Sequence, residues 1–308
     1  MCARWSAEHA KNWYEKLPWL VGCNFVPSSA INQLEMWQAD SFDEPAIDRE
    51  LGWAAGLGMN SVRVYLHDLL WSEDADAFKT RIERYLEIAN RHKIRTMFVL
   101  FDDCWQDDPR LGRQPEPRPG VHNSGWVKGP GSKVVRNRQQ WARLEDYVCD
   151  VVSSLGNDER VVVWDIYNEP GNSFLLTLGL PAAFRYGKLL LQVAGHLFLP
   201  SQTSPLLKAA FAWARSVQPT QPLTAGAWYL TANLNSKLNR QVLALSDVIS
   251  FHSYSDLETT TRRVDELKRH GRPLLCTEYL ARTAGSLFET HLPFFRVERI
   301  GCYNLSLI

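Results

Sequence analysis

Short apolar runs of strand length alternate along the chain with longer segments whose apolar residues recur at helical spacing. Most of the runs are apolar almost without interruption, which is typical of parallel strands buried on both faces. The intervening segments, such as residues 76–92 and 138–156, are amphipathic, and several end at glycine, as helices often do. The eight runs cover residues 21–26, 60–66, 95–101, 161–167, 222–228, 247–253, 273–279 and 300–308.

Repetition of strand and helix through 308 residues predicts a single α/β domain, a (β/α)8 TIM barrel spanning residues 1–308. With 45% hydrophobic residues, the chain can fill one large core. The alternative is an open doubly wound sheet that binds a nucleotide. The sequence lacks its fingerprints, because no GxGxxG follows the first run and no GxxxxGKS/T motif occurs.

Two segments are too long for ordinary connections in such a barrel. Residues 102–137 are rich in proline and glycine, and we expect them to form a structured loop over one end. Residues 174–203 are apolar and follow the fourth run, where we expect a helical insertion; their basic residues and prolines argue against a membrane span. The last run reads CYNLSLI at its end, so the final helix of the barrel is expected to be missing.

Composition and charge narrow the classes of partner. The 34 basic and 34 acidic side chains balance, so no nucleic-acid partner and no acidic membrane surface are indicated. The six cysteines show no metal-like spacing, and we expect free thiols, no metal and no cofactor. Residues 1–19 lack a secretory signal pattern, which fits a cytoplasmic protein or a mature secreted form. We expect a monomer.

Two glutamates stand where predicted strands end. Asn168 and Glu169 follow the fourth run, and Glu278 is the penultimate residue of the seventh. The carboxyl ends of barrel strands build one mouth, so we expect both carboxylates to face a single cavity. Such a pair is what glycoside hydrolysis requires, one as acid and one as nucleophile or base. The alternative for each glutamate alone is a solvated loop residue or a charge at a helix start.

The residues around both glutamates carry a resemblance to a known family. WDIYNEP at 164–170 and CTEY at 276–279 resemble glycoside hydrolase clan A and are most similar to family 5, a group of cellulase-, xylanase- and mannanase-like TIM barrels. The resemblance extends from GCNFVPS at 22–28 to GCYN at 301–304 and so covers most of the chain.

The resemblance implies a retaining double displacement. In that mechanism Glu169 is the general acid and then the base, and Glu278 is the nucleophile that forms the glycosyl-enzyme intermediate. Asn168 offers its amide to the sugar 2-hydroxyl, and Arg63 holds the nucleophile as an anion. The substrate implied is a β-linked oligo- or polysaccharide of glucan, mannan or xylan type.

Tyr254 and His252 resemble the family's partner of the nucleophile and its subsite ligand. A nucleophile beside Arg63 and hydrogen-bonded to Tyr254 should be ionised, because both neighbours favour its charged form. The charge of Glu278 then disfavours a second buried carboxylate, which lets Glu169 keep its proton near neutral pH. We expect the carboxylates to lie roughly 5 Å apart, the spacing for direct attack on the sugar.

Other polar residues at strand ends are weaker candidates. His67 and Asp68 follow the second run, where substrate contact and a hydrogen-bonded structural pair are equally open. Asp102 and Asp103 close the third run beside Trp105, which favours a sugar subsite over a plain loop. The two aspartates are also the alternative catalytic carboxylates if the glutamate pairing is wrong.

Three tryptophans are candidates to stack on sugar rings. Trp37, Trp126 and Trp228 lie in segments expected near the barrel mouth, and an indole face suits a pyranose ring. Core or loop packing is an equally open interpretation for each of them.

Two functions therefore remain open. The first is an active retaining β-glycoside hydrolase. The second is a catalytically impaired barrel that binds carbohydrate or serves as a scaffold. Related barrels usually carry a tryptophan soon after the YN of strand eight, whereas this chain continues as LSLI after Asn304.

Overall fold

The computed structural model describes residues 3–172, 203–228 and 237–307, which form a parallel barrel surrounded by helices. Its sheet runs in the order β5-β4-β3-β2-β1-β9-β8-β7-β6. The strands are β1 Val21–Asn24, β2 Ser61–Tyr65, β3 Arg95–Val99, β4 Val161–Asp165, β5 Leu223–Thr224, β6 Gly226–Ala227, β7 Ile249–Ser253, β8 Leu274–Tyr279 and β9 Gly301–Asn304.

The two strands at the ends of this order, β5 and β6, are adjacent in the chain. β5 pairs with β4, and β6 pairs with β7, yet only Ala225 separates β5 from β6. The fifth predicted run is thus one interrupted strand, and the sheet curves back on itself. This topology confirms the α/β TIM-barrel prediction.

Helices alternate with the strands as the sequence pattern predicts. Several begin at an aspartate whose side chain accepts a hydrogen bond from the first turn, including Asp43, Asp74 and Asp256. The helices are α1 Ala7–Glu15, α2 Gln33–Trp37, α3 Glu44–Gly56, α4 Asp68–Glu73, α5 Ala75–Arg91, α6 Ser132–Arg136, α7 Trp141–Leu155, α8 Ser204–Ser216, α9 Lys237–Leu245, α10 Leu257–Lys268 and α11 Phe288–Val297.

The helix α1 covers the end of the barrel where the strands begin. Its Ala10 and Tyr14 belong to a buried apolar cluster that includes Val248 and Leu275, close to the starts of β7 and β8. The Tyr14 hydroxyl also donates to the Arg299 carbonyl, just before β9. This packing leaves the carboxyl ends of the strands as the open face of the barrel.

The segment 102–137 is a structured loop over that open face. The Asn32 amide donates to the Gln114 side chain at 2.9 Å, and the Gln33 amide donates to the Val127 carbonyl at 2.6 Å. These contacts tie the loop to the segment that follows β1. The loop therefore forms one side of the mouth of the barrel.

Two expectations concern chain segments beyond the regular barrel. The predicted insertion at 174–203 lies outside the described residues except for Thr203, which precedes α8. Residues 305–307, which follow β9, form no helix. Across the described ranges, none of the helices combines the length and apolarity needed to span a membrane.

Candidate active site

Glu278 is positioned by an irregularity in strand β8. The β7–β8 pairing shifts register so that Phe251 pairs with Cys276 but His252 pairs with Glu278, which leaves Thr277 as an extra residue. A bulge of this kind re-aims the side chains beside it. It brings Glu278 next to His252 and turns its carboxylate into the barrel mouth.

Three donors hold the Glu278 carboxylate. Arg63 Nη1 and the Tyr65 hydroxyl each lie 2.9 Å from Oε1, and the Tyr254 hydroxyl donates to Oε2. His252 Nδ1 lies 3.5 Å from Oε2. Each of these contacts favours the charged form of the carboxylate.

The balance of these effects keeps Glu278 ionised. Burial raises the pKa of Glu278, but the charges of His252 and Arg63 and the hydrogen bonds from Tyr254 and Tyr65 outweigh it, so the pKa lies below its usual value. A buried carboxylate with a depressed pKa is a nucleophile that is available over a wide pH range.

Arg63 is fully buried and links both sides of the site. Its Nη2 donates to Asp165 Oδ2 and to Asn168 Oδ1, each at 2.7 Å, while Nη1 donates to Glu278 and to Asn24 Oδ1. A buried charge is tolerated when it is paired in this way. The guanidinium therefore fixes the positions of Asn168 and Glu278 relative to each other.

Glu169 lies four residues beyond β4, on a strained backbone. Its φ of 42° falls in the left-handed region, which non-glycine residues adopt at a cost. Its Oε1 lies 2.6 Å from His252 Nδ1. Its Oε2 accepts from the Cys104 thiol at 3.2 Å and from the Asn172 amide.

The two glutamates and His252 form one tight group. A carboxylate oxygen of Glu169, one of Glu278 and a ring nitrogen of His252 all lie within 4.8 Å of one another. Three such donors have metal-like spacing, but the Arg63 guanidinium beside Glu278 disfavours a cation there. The arrangement suits two carboxylates acting on one substrate bond, because pairs about 5 Å apart allow direct attack.

His252 connects the two carboxylates. Burial lowers its pKa, but the charge of Glu278 and the hydrogen bond to Glu169 outweigh burial and raise it. The ring is buried and does not line the described cavity, so the expected contact of His252 with a sugar subsite is not what the structure shows. Its contacts are with the two glutamates instead.

A cavity of about 460 Å³ opens above the carboxylate pair. One side is formed by the 102–137 loop, and the others are formed by residues that follow β1, β4, β7 and β9. The lining residues are Asn24, Phe25, Val26, Ile31, Tyr65, Cys104, Trp105, His122, Asn123, Trp126, Asn168, Glu169, Tyr254, Glu278, Leu305 and Ser306.

Asp102 lies behind this wall and anchors two of its members. Its Oδ1 accepts from the Asn168 amide at 2.9 Å, and its Oδ2 accepts from the Trp126 indole at 2.7 Å. Asp102 is buried and does not line the cavity, so the expected contact with sugar is not what the structure shows. It instead holds Asn168 and Trp126, which do line the cavity. Trp126 lines the cavity, as its interpretation as a stacking platform requires, and Trp105, expected beside a sugar subsite, lines it too.

The structure places Trp37 away from the cavity. Trp37 is completely buried, because the short helix α2 turns it inward against Phe42 and Phe78, and its indole donates to the Tyr65 carbonyl. For Trp37, the expectation of sugar stacking is wrong. Core packing, the alternative left open for it, is what the structure shows.

His67 and Trp228 also have structural partners. His67 is buried, with Nδ1 accepting from the Leu69 amide at the start of α4 and Nε2 lying 2.8 Å from the Lys128 carbonyl. The Trp228 indole donates to the Pro170 carbonyl at 3.2 Å, in the turn after Glu169. Neither residue lines the described cavity.

Several site residues were not among the sequence candidates. Tyr65 is the last residue of β2 and contacts Glu278, and Asp165 is the last residue of β4 and pairs with Arg63. Inspection of every strand end could have found both. Cys104, which the sequence indicates only as a buried thiol, lines the cavity. His122 lines it too, from the 102–137 loop.

Comparison with known proteins finds similar folds among solved structures. No family model matches the sequence, and no curated protein matches it. Solved structures do match. One is the exo-β-1,4-mannosidase Op5Man5 from Opitutaceae bacterium strain TAV5, with 18% identity and a TM-score of 0.61 over 93% of this chain and 51% of that one. The chain thus spans about half the length of that mannosidase.

Two endo-acting enzymes are similar over most of their own length. The endo-1,4-β-mannanase from Rhizomucor miehei has 15% identity and a TM-score of 0.58, over 92% of this chain and 88% of that one. The endo-1,4-β-D-mannanase from Thermotoga petrophila RKU-1 has 11% identity and a TM-score of 0.57, over 93% and 87%. These similarities confirm the predicted TIM-barrel fold.

Proposed function

We propose that this protein is a retaining β-glycoside hydrolase that cleaves β-1,4-linked mannosides. The observation that carries the proposal is the pair Glu169 and Glu278, with oxygens within 4.8 Å, beneath one cavity and in unlike surroundings. Glu278 faces a guanidinium and two tyrosine hydroxyls, whereas Glu169 contacts His252, a thiol and an amide.

In the first step, the ionised Glu278 attacks the anomeric carbon while Glu169 donates its proton to the glycosidic oxygen. The glycosidic bond breaks, the leaving sugar departs as an alcohol, and a glycosyl ester forms on Glu278. In the second step, Glu169 removes a proton from water, which attacks the same carbon and frees Glu278. Asn168, which lines the cavity, is placed to bind the sugar 2-hydroxyl.

The names of the similar structures support the proposed substrate class. The three compared enzymes bear names that specify β-1,4-mannosidase or mannanase activity. Loops set the contacts to sugar hydroxyls and the shape of each sugar subsite. In this protein, the 102–137 loop supplies Trp105, His122 and Trp126 to one side of the cavity. We therefore place mannan ahead of glucan and xylan as the substrate.

One observation favours a second function, carbohydrate binding without turnover. Leu305 and Ser306 line the cavity after β9, where related barrels usually carry a tryptophan. A leucine lacks the flat indole face that suits a pyranose ring. Loss of that platform would weaken positioning of the sugar over Glu278 while leaving the rest of the cavity able to bind.

The first experiment measures sugar release from β-1,4-mannan, xylan, cellulose and mixed-linkage glucan. It compares the wild type with Glu278→Gln and with the matched control Glu145→Gln, an exposed position on α7. We expect release from mannan, a loss of at least about 10³-fold in Glu278→Gln, and no change in the control. Folded wild-type protein that binds mannan without releasing sugar would support the binding function instead.

The retaining step has its own measurement. A 2-deoxy-2-fluoro-β-mannoside with a good leaving group should glycosylate Glu278, releasing the leaving group and stopping turnover. Mass spectrometry is then expected to locate the added sugar on the peptide that contains Glu278. A product of inverted anomeric configuration in the proton NMR spectrum would contradict the retaining mechanism.

A further inference from the structure

The side chain of Cys104 contacts the carboxylate proposed as the acid. Its thiol donates to Glu169 Oε2 at 3.2 Å, and the residue is buried but lines the cavity. We propose that Cys104 is a positioning residue, which orients Glu169 and sets the pH range over which it transfers its proton. This inference rests on the proposed hydrolase function and extends it to a residue with no assigned role.

The geometry directs the thiol hydrogen towards the carboxylate. The amide groups of Asn168 and Asn172 approach the sulfur at 3.4 and 3.5 Å as donors. With two donors facing its lone pairs, the sulfur has its own hydrogen left for Glu169. The Cys104 amide donates to Asp102 Oδ1 at 2.9 Å, which fixes the backbone from which the thiol projects.

The surroundings keep this thiol protonated. Burial raises the pKa of Cys104 well above its usual value, and the carboxylates of Asp102, Glu169 and Glu278 raise it further. A thiolate would repel Glu169, whereas a thiol can donate to it. Cys104 is therefore a hydrogen-bond donor throughout the working pH range.

A thiol is a weak donor, and this has a consequence for proton transfer. The stronger contacts of Glu169 are those with His252 Nδ1 at Oε1 and with the Asn172 amide at Oε2. The thiol adds a smaller contribution, so its removal should change proton transfer modestly and leave the other contacts in place. Among the described residues, the other charged or titratable groups around the pair are Asp102 before Cys104, Arg63 and Tyr65 on β2, His122 in the 102–137 loop, His252 on β7, Tyr254 after β7 and Glu278 on β8.

The first test compares the pH dependence of kcat/KM in the wild type, Cys104→Ala and Cys104→Ser. Without the donor, the alanine variant should keep its acid protonated to higher pH, so its alkaline limb moves up by roughly 0.5 to 1 pH unit. The serine variant retains an O–H donor, so its limb stays at or below that of the wild type. The acidic limb should not move in either variant. Coincident alkaline limbs in all three proteins would overturn the inference.

The second test does not depend on turnover. The rate of modification of Cys104 by methyl methanethiosulfonate is measured against pH, by mass spectrometry of the Cys104 peptide, in the wild type, Glu169→Gln and Glu145→Gln. Removing the carboxylate charge should make the thiol ionise more readily, so Glu169→Gln is expected to react about tenfold faster at a given pH near neutrality. Equal rates in wild type and Glu169→Gln would overturn the contact.

The two tests separate the inference from the proposed function. Wild-type protein that releases no sugar, combined with faster modification in Glu169→Gln, would reject the hydrolase proposal while supporting the contact between the thiol and Glu169. Active wild-type protein with unchanged pH limbs in Cys104→Ala would reject the positioning role alone.

Discussion

The two carboxylates of this site lie in opposite kinds of surroundings. Glu278 lies within a strand, and it is held by a buried guanidinium and by two tyrosines. Glu169 lies on left-handed backbone beyond its strand, and it contacts a histidine, a thiol and an amide. The Glu278 side of the site therefore presents a guanidinium and two hydroxyl donors to its carboxylate, whereas the Glu169 side presents a histidine, a thiol and an amide. Variants that weaken each side separately should therefore give different signatures.

The largest effect is expected from Arg63→Lys, because Arg63 fixes the charged side. A lysine cannot contact Asp165, Asn168 and Glu278 together, so buried carboxylates lose their partner. We expect kcat to fall by at least about 10³-fold and the free energy of unfolding to fall by about 3 to 5 kcal/mol. Steady-state kinetics and urea unfolding measure the two losses.

The control for that variant is Arg49→Lys. Arg49 is half-exposed, and the buried Glu50 carboxylate that it pairs with also accepts two hydrogen bonds from Ser28, so a lysine there should change the free energy of unfolding by less than about 1 kcal/mol and leave kcat unaltered. If Arg63→Lys behaved like Arg49→Lys, the buried guanidinium would not be what fixes Glu278.

A smaller and more specific effect is expected from Tyr254→Phe. The Tyr254 hydroxyl donates to Glu278 and helps to lower its pKa, so its removal raises that pKa. The nucleophile is then protonated over a wider acidic range. The acidic limb of kcat/KM should move to higher pH while the alkaline limb stays, with kcat reduced by roughly 10- to 100-fold.

Tyr65→Phe is the matched comparison. Tyr65 donates to the other oxygen of Glu278, so it should move the same limb in the same direction. Movement of the alkaline limb by either variant would mean that the two sides of the site are not separable.

The surroundings of Glu278 were easier to predict from the sequence than those of Glu169. Arg63 and Glu278 lie in strands that the apolar runs mark clearly, so the barrel could be predicted from those runs, whereas the contact between the two residues was implied by the family resemblance. The register shift at Thr277 and the left-handed backbone at Glu169 leave no trace in hydrophobic periodicity. They arise from pairing between strands and from loop contacts.

Aromatic residues show the same limit. Trp37 and Trp126 are alike in type and in predicted position, yet one is completely buried and the other lines the cavity. The difference depends on the inward face of α2 and on the hydrogen bond from Trp126 to Asp102, both of which are tertiary features. Tyr65 was missed because a tyrosine at a strand end is equally typical of a core.

The last prediction concerns stability near Glu169, where Asp102 accepts a hydrogen bond from the backbone amide of Cys104. Burial raises the pKa of Asp102 to about 7, against hydrogen bonds from Asn168 and Trp126 that lower it. Folded Asp102 therefore holds its proton at pH values where the unfolded chain, with a pKa near 4, has lost it. The stability from this group is complete below about pH 4 and is lost as the pH rises to about 7.

Asp102→Asn carries no titrating group at this position, which isolates that contribution. We expect the free energy of unfolding of the wild type, relative to the variant, to fall by a few kcal/mol between about pH 4 and 7 and to remain level above it. Urea unfolding of both proteins across this range measures the difference, in which the contributions of other groups cancel. A difference that is constant with pH would mean that Asp102 has the same pKa in the folded and unfolded protein, so that burial does not raise it.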